Sequence, residues 1–452
     1  MVKESPFSGQ RVGVLGLGRS GFAALELLQH YGITPSLWDA VSGEAANALR
    51  QSMAKYEVLG LKVFLGDDAL RHASTEVLDV LVLSPGVDPR SPLVQRFLER
   101  KIRLIGELEL AWQHHSRPVI AITGTNGKTT TTELITTLAK ACGLRALAAG
   151  NIGLPYSSVV LNHEAQDDLD WVVLEVSSFQ LETVEQFHPR VAVWLNLTPD
   201  HLDRYPGMRE YGAAKERIFE NLTQEDWVVI RSKEQVASGF QQRLEFSSEV
   251  AEADFSLTAD DRVLFRGEEV FQMQGAVLQG VHNAENVMAA LGVAHGLDWP
   301  RDVCVAAAMK YRPQPHRGEL VGRVNGVSWI NDSKATNFDA LEKALRSQKD
   351  KIVLIAGGKE KGLNFEGLRG LVGEKVKQAF LLGETKHGMQ QAWEGACTIE
   401  LVENLAAAVQ RAHEESLKND VVLFSPGASS YDMYKNFEER GEAFRRLVQA
   451  LS

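Results

Sequence analysis

Two rhythms of apolar and polar positions alternate along this chain. Short unbroken apolar runs recur at Val12–Leu15, Ile33–Trp38, around Val63, Val77–Leu83, Val119–Thr123, Trp171–Val176 and Val191–Leu197. They return at Val327–Ile330, Lys351–Ala356, Gln378–Leu382 and Val421–Phe424. Runs of this length predict strands buried on both faces, as in a parallel sheet. Between them apolar residues fall three and four apart, which predicts helices over Phe22–Tyr31, Glu107–His114, the stretch holding Leu134, Ile135, Leu138 and Cys142, and Met208–Leu222. Asp226 to Gly280 reads differently, as short alternating runs such as Arg262–Arg266 and Val270–Met273. A proline-rich junction, Arg312-Pro313-Gln314-Pro315-His316-Arg317, reads as a stiff linker or hinge. The pattern predicts an α/β fold of three units: a Rossmann-like unit over residues 1–105, a central α/β unit over 106–313 and a Rossmann-like unit over 314–452.

The central unit opens on the most informative stretch. The run Val119–Thr123 is followed by Gly124-Thr125-Asn126-Gly127-Lys128-Thr129-Thr130 and then by a helical pattern. Strand, glycine turn, Lys-Thr and helix form a phosphate cradle: backbone N–H groups and the helix N-terminus face an anion, and glycines let the backbone approach. Lys128 would reach the terminal phosphates and the Thr129 hydroxyl would ligate Mg²⁺. This makes the central unit a P-loop ATPase type, although Ile122 stands where the first glycine of that motif is expected.

The first unit carries its own glycine turn. Gly16, Gly18 and Gly21 follow a strand and open a helix, and Asp39 ends the next strand. That is the dinucleotide fingerprint, read either as a diphosphate seat or as close packing alone. Ser84-Pro85-Gly86 is a strand-end turn on the edge where such sheets bind ligands. Further strand ends carry Gly150-Asn151-Ile152-Gly153, Glu175, and the group Asn196, Asp200, His201 and Asp203. In a unit that already calls for Mg²⁺, Glu175 and His201 are candidate metal ligands.

Lys215 falls within the apolar stripe of Tyr211, Ile218, Phe219 and Leu222. It either lays its stem on the core with the ammonium in water or aims it into the site. Asn283 stands near a helix start, most simply as an N-cap, alternatively facing a nucleotide base with Asn286. The polar run Asn331-Asp332-Ser333-Lys334-Ala335-Thr336-Asn337 follows a strand, as does Ser425-Pro426-Gly427-Ala428-Ser429-Ser430.

Bulk composition narrows the classes. The 452 residues suit about three domains, and 44% hydrophobic with 24% charged residues is ordinary for a globular chain. A net charge of −11 gives no footprint for nucleic acid. The polar start MVKESPFSGQ lacks a signal-peptide core, and no run approaches a membrane span. Cys142, Cys304 and Cys397 form no metal pattern and read as reduced thiols of a cytoplasmic protein.

With these residues in view, the chain resembles the Mur ligase family along its whole length. GTNGKTT at Gly124, GNIG at Gly150 and HNAEN at His282 are similar to motifs shared across that family. GLGRSG at Gly16, SPGV at Ser84 and NDSKATN at Asn331 are similar to its D-glutamate-adding branch. The resemblance implies a cytoplasmic, ATP-dependent acid–amino-acid ligase of peptidoglycan precursor synthesis. Its substrates would be UDP-N-acetylmuramoyl-L-alanine and D-glutamate, with no nucleic-acid or membrane partner, and monomer as the default.

The resemblance also implies roles. Gly124 to Thr130, with Lys128 as charge clamp, would bind the ATP phosphates, and Asn283, Arg317 and Asp332 would hold the nucleotide. Thr129 and Glu175 would ligate one Mg²⁺, and His201 and Lys215 a second, with Lys215 as a carbamate. Lys128, His201, Lys215 and Glu175 would form the catalytic set. Gly18, Ser20, Asp39, Gly86, Asn151 and His201 would contact the UDP-sugar. Lys334, Thr336, Lys361, Ser430 and Phe437 would form the amino-acid pocket. The third domain would close on the Pro313–Pro315 hinge. Arg19, Ala40, Val41 and Tyr431 depart from the pattern of some members. The alternatives are another Mur-type or folylpolyglutamate synthetase-like amide ligase, an NAD-dependent oxidoreductase built on Gly16–Gly21 and Asp39, and a non-catalytic nucleotide switch.

Overall fold

The computed structural model describes residues 4–163, 168–200, 204–234, 236–313, 315–336, 338–348, 351–359 and 365–451. The chain divides into two compact units, Met1–Tyr311 and Arg312–Ser452. The first holds two sheets and the second holds one.

The first sheet contains β1 (Val12–Leu15), β2 (Ser36–Asp39), β3 (Val63–Leu65), β4 (Val80–Leu83) and β5 (Arg103–Gly106). All pair in parallel, in the order β3-β2-β1-β4-β5. The order reverses direction beside β1, so the turns after β1 and β4 lie side by side where such sheets seat ligands. The helix after the glycine turn spans Arg19–His30, starting earlier than the apolar spacing predicts because Gly18 is its N-cap.

The second sheet has nine strands: β6 (Val119–Thr123), β7 (Ala146–Gly150), β8 (Trp171–Glu175), β9 (Val191–Trp194), β10 (Trp227–Arg231), β11 (Arg243–Ser247), β12 (Phe255–Leu257), β13 (Arg262–Phe265) and β14 (Glu268–Gln272). Their order is β14-β13-β12-β11-β10-β9-β6-β8-β7. β7 through β12 run parallel to β6; β13 then pairs antiparallel with β12, and β14 antiparallel with β13. Every residue of β6 is buried, which is why it reads as an unbroken apolar run. β6 lies between β8 and β9, so the loop after β6 is flanked by the ends of both.

These two sheets share one apolar core, in which Leu28 and Leu108 join Tyr156, Val159 and Trp194. This shared core makes residues 4–311 one compact body although they carry two sheets. Arg204 fastens the joint. Its guanidinium donates to Glu182 Oε2 at 2.6 Å and to the Pro85 and Val87 carbonyls at 3.4 Å each, and it stacks over Phe179.

The second unit contains β15 (Glu319–Val324), β16 (Val327–Asn331), β17 (Ile352–Gly357), β18 (Val376–Leu382), β19 (Thr398–Leu401) and β20 (Val421–Phe424), ordered β15-β16-β20-β17-β18-β19. β15 is antiparallel and the rest are parallel. The carboxyl ends of β16, β20 and β17 therefore meet on one edge.

Candidate active site

The loop after β6 is shaped by two glycines. Gly127 sits at φ +84°, and a Cβ there would lie 2.3 Å from Asn286 Oδ1. Gly124 sits at φ +149°, with Leu195 Cβ only 2.9 Å from where its own Cβ would be. Neither position admits a side chain. The helix Lys128–Ala141 begins immediately after, and its first N–H groups have no partner within the helix. These groups and the helix dipole make the loop an anion seat.

Asn196, just beyond β9, holds the loop open. Its Oδ1 accepts from the Asn126 N–H at 2.8 Å, its Nδ2 donates to the Asn126 carbonyl at 3.1 Å, and its own carbonyl accepts from the Thr125 N–H. Asn286 adds a second support, accepting from the Thr131 hydroxyl at 3.2 Å. From sequence Asn196 had no task beyond its place at a strand end, and Asn286 was read as facing a nucleotide base with Asn283. Only the tertiary pairing shows that they position the loop.

Lys128 curls over the loop and donates to the carbonyls of Gly124 and Thr125, both at 2.9 Å. Lys215 comes from the helix Met208–Glu216 and donates to the same Gly124 carbonyl at 2.8 Å. It is 1% exposed, so its ammonium does not reach water. Of the two orientations open to it, it adopts the one aimed into the site. Tyr211, on the same helix, lies under this ammonium at 4.7 Å and meets the Thr125 hydroxyl. That helix is shorter than expected: a 3-10 turn, Arg217–Phe219, follows Glu216, while Ile218 and Phe219 still face the core.

Glu175 ends β8 and is 3% exposed. Its Oε2 accepts from the Thr129 hydroxyl at 2.6 Å, and its Oε1 accepts from Asn151 Nδ2 at 2.8 Å. Thr129 and Glu175, expected together, are thus joined by Asn151, which was expected at the UDP-sugar, in one linked group. A hydroxyl and a carboxylate at this spacing offer the hard oxygen donors that Mg²⁺ takes. Among the described residues no cluster of three or more His, Cys, Asp or Glu side chains gathers. Mg²⁺ commonly completes its shell with phosphate and water oxygens. His201, the expected partner of Lys215, lies outside the described residues.

Asn283 does not cap its helix. The N-cap of Val281–Gly296 is Gly280, at φ +90°, and Asn283 lies within the first turn, its Nδ2 bonded to the Gln279 carbonyl. Its Oδ1 accepts from Asn286. A cavity of about 70 Å³ beside the loop is lined by Asn126, Gly127, Phe246, His282 and Asn286. A larger one, about 230 Å³, is lined by Phe265, Leu291, His295 and Trp299 and includes none of the expected site residues.

In the first sheet Asp39 is engaged by backbone. Its Oδ2 accepts from the Leu17 N–H at 2.8 Å and its Oδ1 from the Val41 N–H at 3.0 Å. Ser84 donates to the Gly16 carbonyl at 2.6 Å, locking the two turns together. A Cβ on Gly21 would stand 1.9 Å from that carbonyl oxygen, so this glycine serves close packing. Gly18 is exposed at the helix start, Ser20 is half-buried as the second helical residue, and Gly86 is exposed beyond Ser84.

The second unit gathers its own group. Asp332 accepts from the Ser425 hydroxyl at 2.9 Å and the Gly318 N–H at 3.1 Å. Burial pushes its carboxyl up to about 6 despite those bonds and the nearby charges of Arg317 and Lys334. Lys334 lies 5.8 Å over the Phe437 ring, Ser430 is buried and Thr336 is half-buried. Lys361 and Asn337 lie outside the described residues.

Arg440 was not singled out from sequence. It is 1% exposed and bonds Ser333 Oγ, the Ser333 carbonyl and the Ala428 carbonyl at 2.8–3.0 Å. It thereby joins the loop after β16 to the loop after β20. Burial lowers its guanidinium to about 10. The signal was present in the spacing Phe437, Arg440, Gly441, Phe444, which puts an arginine on the inward face.

A phosphate-seating α/β body followed by a second α/β unit defines a class, and the comparisons name it. Sequence models of three domains match: a Mur ligase MurD-like N-terminal domain over residues 10–106, a Mur ligase middle domain over 122–294, and a Mur ligase glutamate ligase domain over 316–427. The chain belongs to the Mur ligase family, whose members are ATP-dependent amide ligases. Within it, the chain is similar over its length to UDP-N-acetylmuramoylalanine–D-glutamate ligases. That of Syntrophotalea carbinolica is 38% identical and that of Geobacter metallireducens 40%, each alignment covering 98% of both chains. The fold is shared with a UDP-N-acetylmuramate–alanine ligase from Thermotoga maritima at TM-score 0.59 and 17% identity, covering 98% of this chain and all of that one. MurF from Acinetobacter baumannii superposes at TM-score 0.57 and 16% identity, over 84% and 92%. Among the described residues no helix is long and apolar enough to cross a membrane.

Proposed function

We propose that this chain joins D-glutamate to UDP-N-acetylmuramoyl-L-alanine, consuming ATP and releasing ADP and phosphate. The observation that carries it is the linked group of Thr129, Glu175 and Asn151 beside Lys128, which folds over the same glycine loop. Full-length similarity to D-glutamate ligases supports the choice of amino acid. We assign residues 1–105 to the UDP-substrate, 106–313 to ATP and 314–452 to the amino acid.

A carboxylate is a poor electrophile and needs activation. The muramoyl-alanine carboxylate attacks the γ-phosphorus of ATP, ADP leaves, and an acyl phosphate forms. The D-glutamate amine then attacks the acyl carbon and phosphate departs. Lys128 offsets charge on the moving phosphoryl group, and the loop N–H groups hold its oxygens. Thr129 and Glu175 would hold one Mg²⁺, and His201 with a carbamylated Lys215 a second; when bound, these ions neutralise phosphate charge. Gly124 through Thr130 would seat the phosphates, with Asn283, Arg317 and Asp332 on the nucleotide. Gly18, Ser20, Asp39, Gly86, Asn151 and His201 would face the UDP-sugar. Lys334, Thr336, Lys361, Ser430 and Phe437 would bind D-glutamate, with Lys361 on its distal carboxylate. The protein would act in the cytoplasm as a monomer.

The test is phosphate release from ATP and Mg²⁺ with UDP-N-acetylmuramoyl-L-alanine across a panel of amino acids. Release with D-glutamate, and none with L-glutamate, L-lysine or meso-diaminopimelate, is expected. Release with another amino acid would move the chain within its family. No release with any would overturn the assignment.

A further inference from the structure

The cysteines fall into two classes. Cys397 is half-buried in the second unit. Cys142 and Cys304 stand 162 positions apart in sequence, yet their Sγ atoms are 3.6 Å apart. Cys142 is the C-cap of the helix Lys128–Ala141 and is half-buried, while Cys304 lies in the first turn of the helix Arg301–Lys310 and is buried.

A disulfide needs the sulfurs at about 2 Å, so one of them must move by roughly 1.5 Å. Cys142 has that freedom. It lies just past the last helical residue, and Gly143 follows at φ +81° with open space around it.

We propose that Cys142 and Cys304 form an oxidation-sensitive dithiol that reacts with low-molecular-weight disulfides and closes into an internal disulfide. The more accessible Cys142 thiolate attacks one sulfur of the reagent. The reagent's S–S bond breaks, a mixed disulfide forms on Cys142, and one thiolate leaves. Cys304 gives its proton to solvent, and its thiolate attacks Cys142 Sγ, expelling the second reagent thiolate. Two protein thiols are oxidised and one reagent disulfide is reduced to two thiols. Burial and the neighbouring Cys142 sulfur hold the Cys304 thiol above the usual range, so Cys142 is the thiol that reacts first.

The link would tie the far end of the helix that begins at Lys128 to the helix that ends at Lys310. A non-covalent tie already joins these elements, since the Tyr311 hydroxyl donates to Glu133 Oε2 at 2.8 Å.

The folded chain is incubated with oxidised glutathione, alkylated, and digested with trypsin. The expected product is the peptide Ala141–Arg145 joined to Asp302–Lys310, lighter by two hydrogens than the free pair. It disappears in Cys142→Ser and in Cys304→Ser and persists in Cys397→Ser. The oxidised chain unfolds several degrees higher, and dithiothreitol returns it to the reduced midpoint. Stable glutathione on Cys142, cross-links only between molecules, or reaction of Cys304 only in denaturant would each overturn the proposal. Mass and melting are read without substrate, so failure of the ligase assignment leaves this test intact.

Discussion

Lys128 and Lys215 donate to one oxygen, the Gly124 carbonyl, at 2.9 and 2.8 Å. Two like charges held this close repel, and one of them is shut away from water. Converting Lys215 to an anionic carbamate would turn that repulsion into attraction. Protein equilibrated with ¹³C-bicarbonate is expected to show a carbamate carbonyl resonance that is missing in Lys215→Gln. Absence of the resonance from the unmutated protein at saturating bicarbonate would remove the carbamate from the mechanism.

Lys128 itself has a separable effect. Lys128→Gln keeps an unbranched polar side chain, one atom shorter, and loses the charge. Phosphate release is expected to fall by about 10²–10³-fold, the usual cost of losing a group that stabilises transition-state charge. The far-UV spectrum should stay unchanged. A loss below tenfold would mean the loop N–H groups carry the phosphates alone.

Glu175→Gln keeps the shape of the linked group and removes its charge. The Thr129 and Asn151 bonds can persist with the amide oriented to suit them, so folding should be spared. The Mg²⁺ concentration giving half-maximal release is expected to rise at least tenfold. An unchanged Mg²⁺ titration would place the cation elsewhere.

Asp332 makes stability depend on pH. Its carboxyl is held at about 6 against an ordinary 3.8. Between those values the folded state keeps a proton that the unfolded chain has lost, so stability falls as pH rises through this window and is flat above it. The loss is on the order of 1–3 kcal/mol. Asp332→Asn should raise the unfolding midpoint of the second unit at pH 7.5 and leave it unchanged at pH 4, while lowering ligase turnover. Equal midpoints of the two proteins at both pH values would show that the carboxylate is not strained.

Arg440→Ala would leave the Ser333 and Ala428 carbonyls without their donor. A loss of about 2–4 kcal/mol in stability is expected. At temperatures where the variant is folded, KM for D-glutamate should rise more than KM for ATP, because the loops it joins carry Lys334 and Ser430. Equal rises would indicate general loosening.

Much of the framework was legible because buried parallel strands announce themselves. Val119–Thr123 and Val421–Phe424 end where their apolar runs end, and Glu107–His114 is bounded by its own periodicity. Met208–Leu222 was read too long because a 3-10 turn keeps the inward face of the preceding helix. Asn283 was misplaced by one turn because Gly280, without a side chain, took the cap. The phosphate loop could be read from its glycines and lysine. Its supports could not: Asn196 and Asn286 lie about 70 and 160 residues downstream of Asn126 and Gly127, and only the strand order brings them back.

Asp39 is occupied by its own turn: one oxygen takes the Leu17 N–H and the other the Val41 N–H. A carboxylate spent on two backbone segments braces the glycine turn and has little left to offer a ligand directly. Asp39→Asn replaces one of the two acceptors with a donor, so it should loosen the turn itself. On the proposed function, the variant would then shorten the stay of the UDP-sugar more than it slows its arrival.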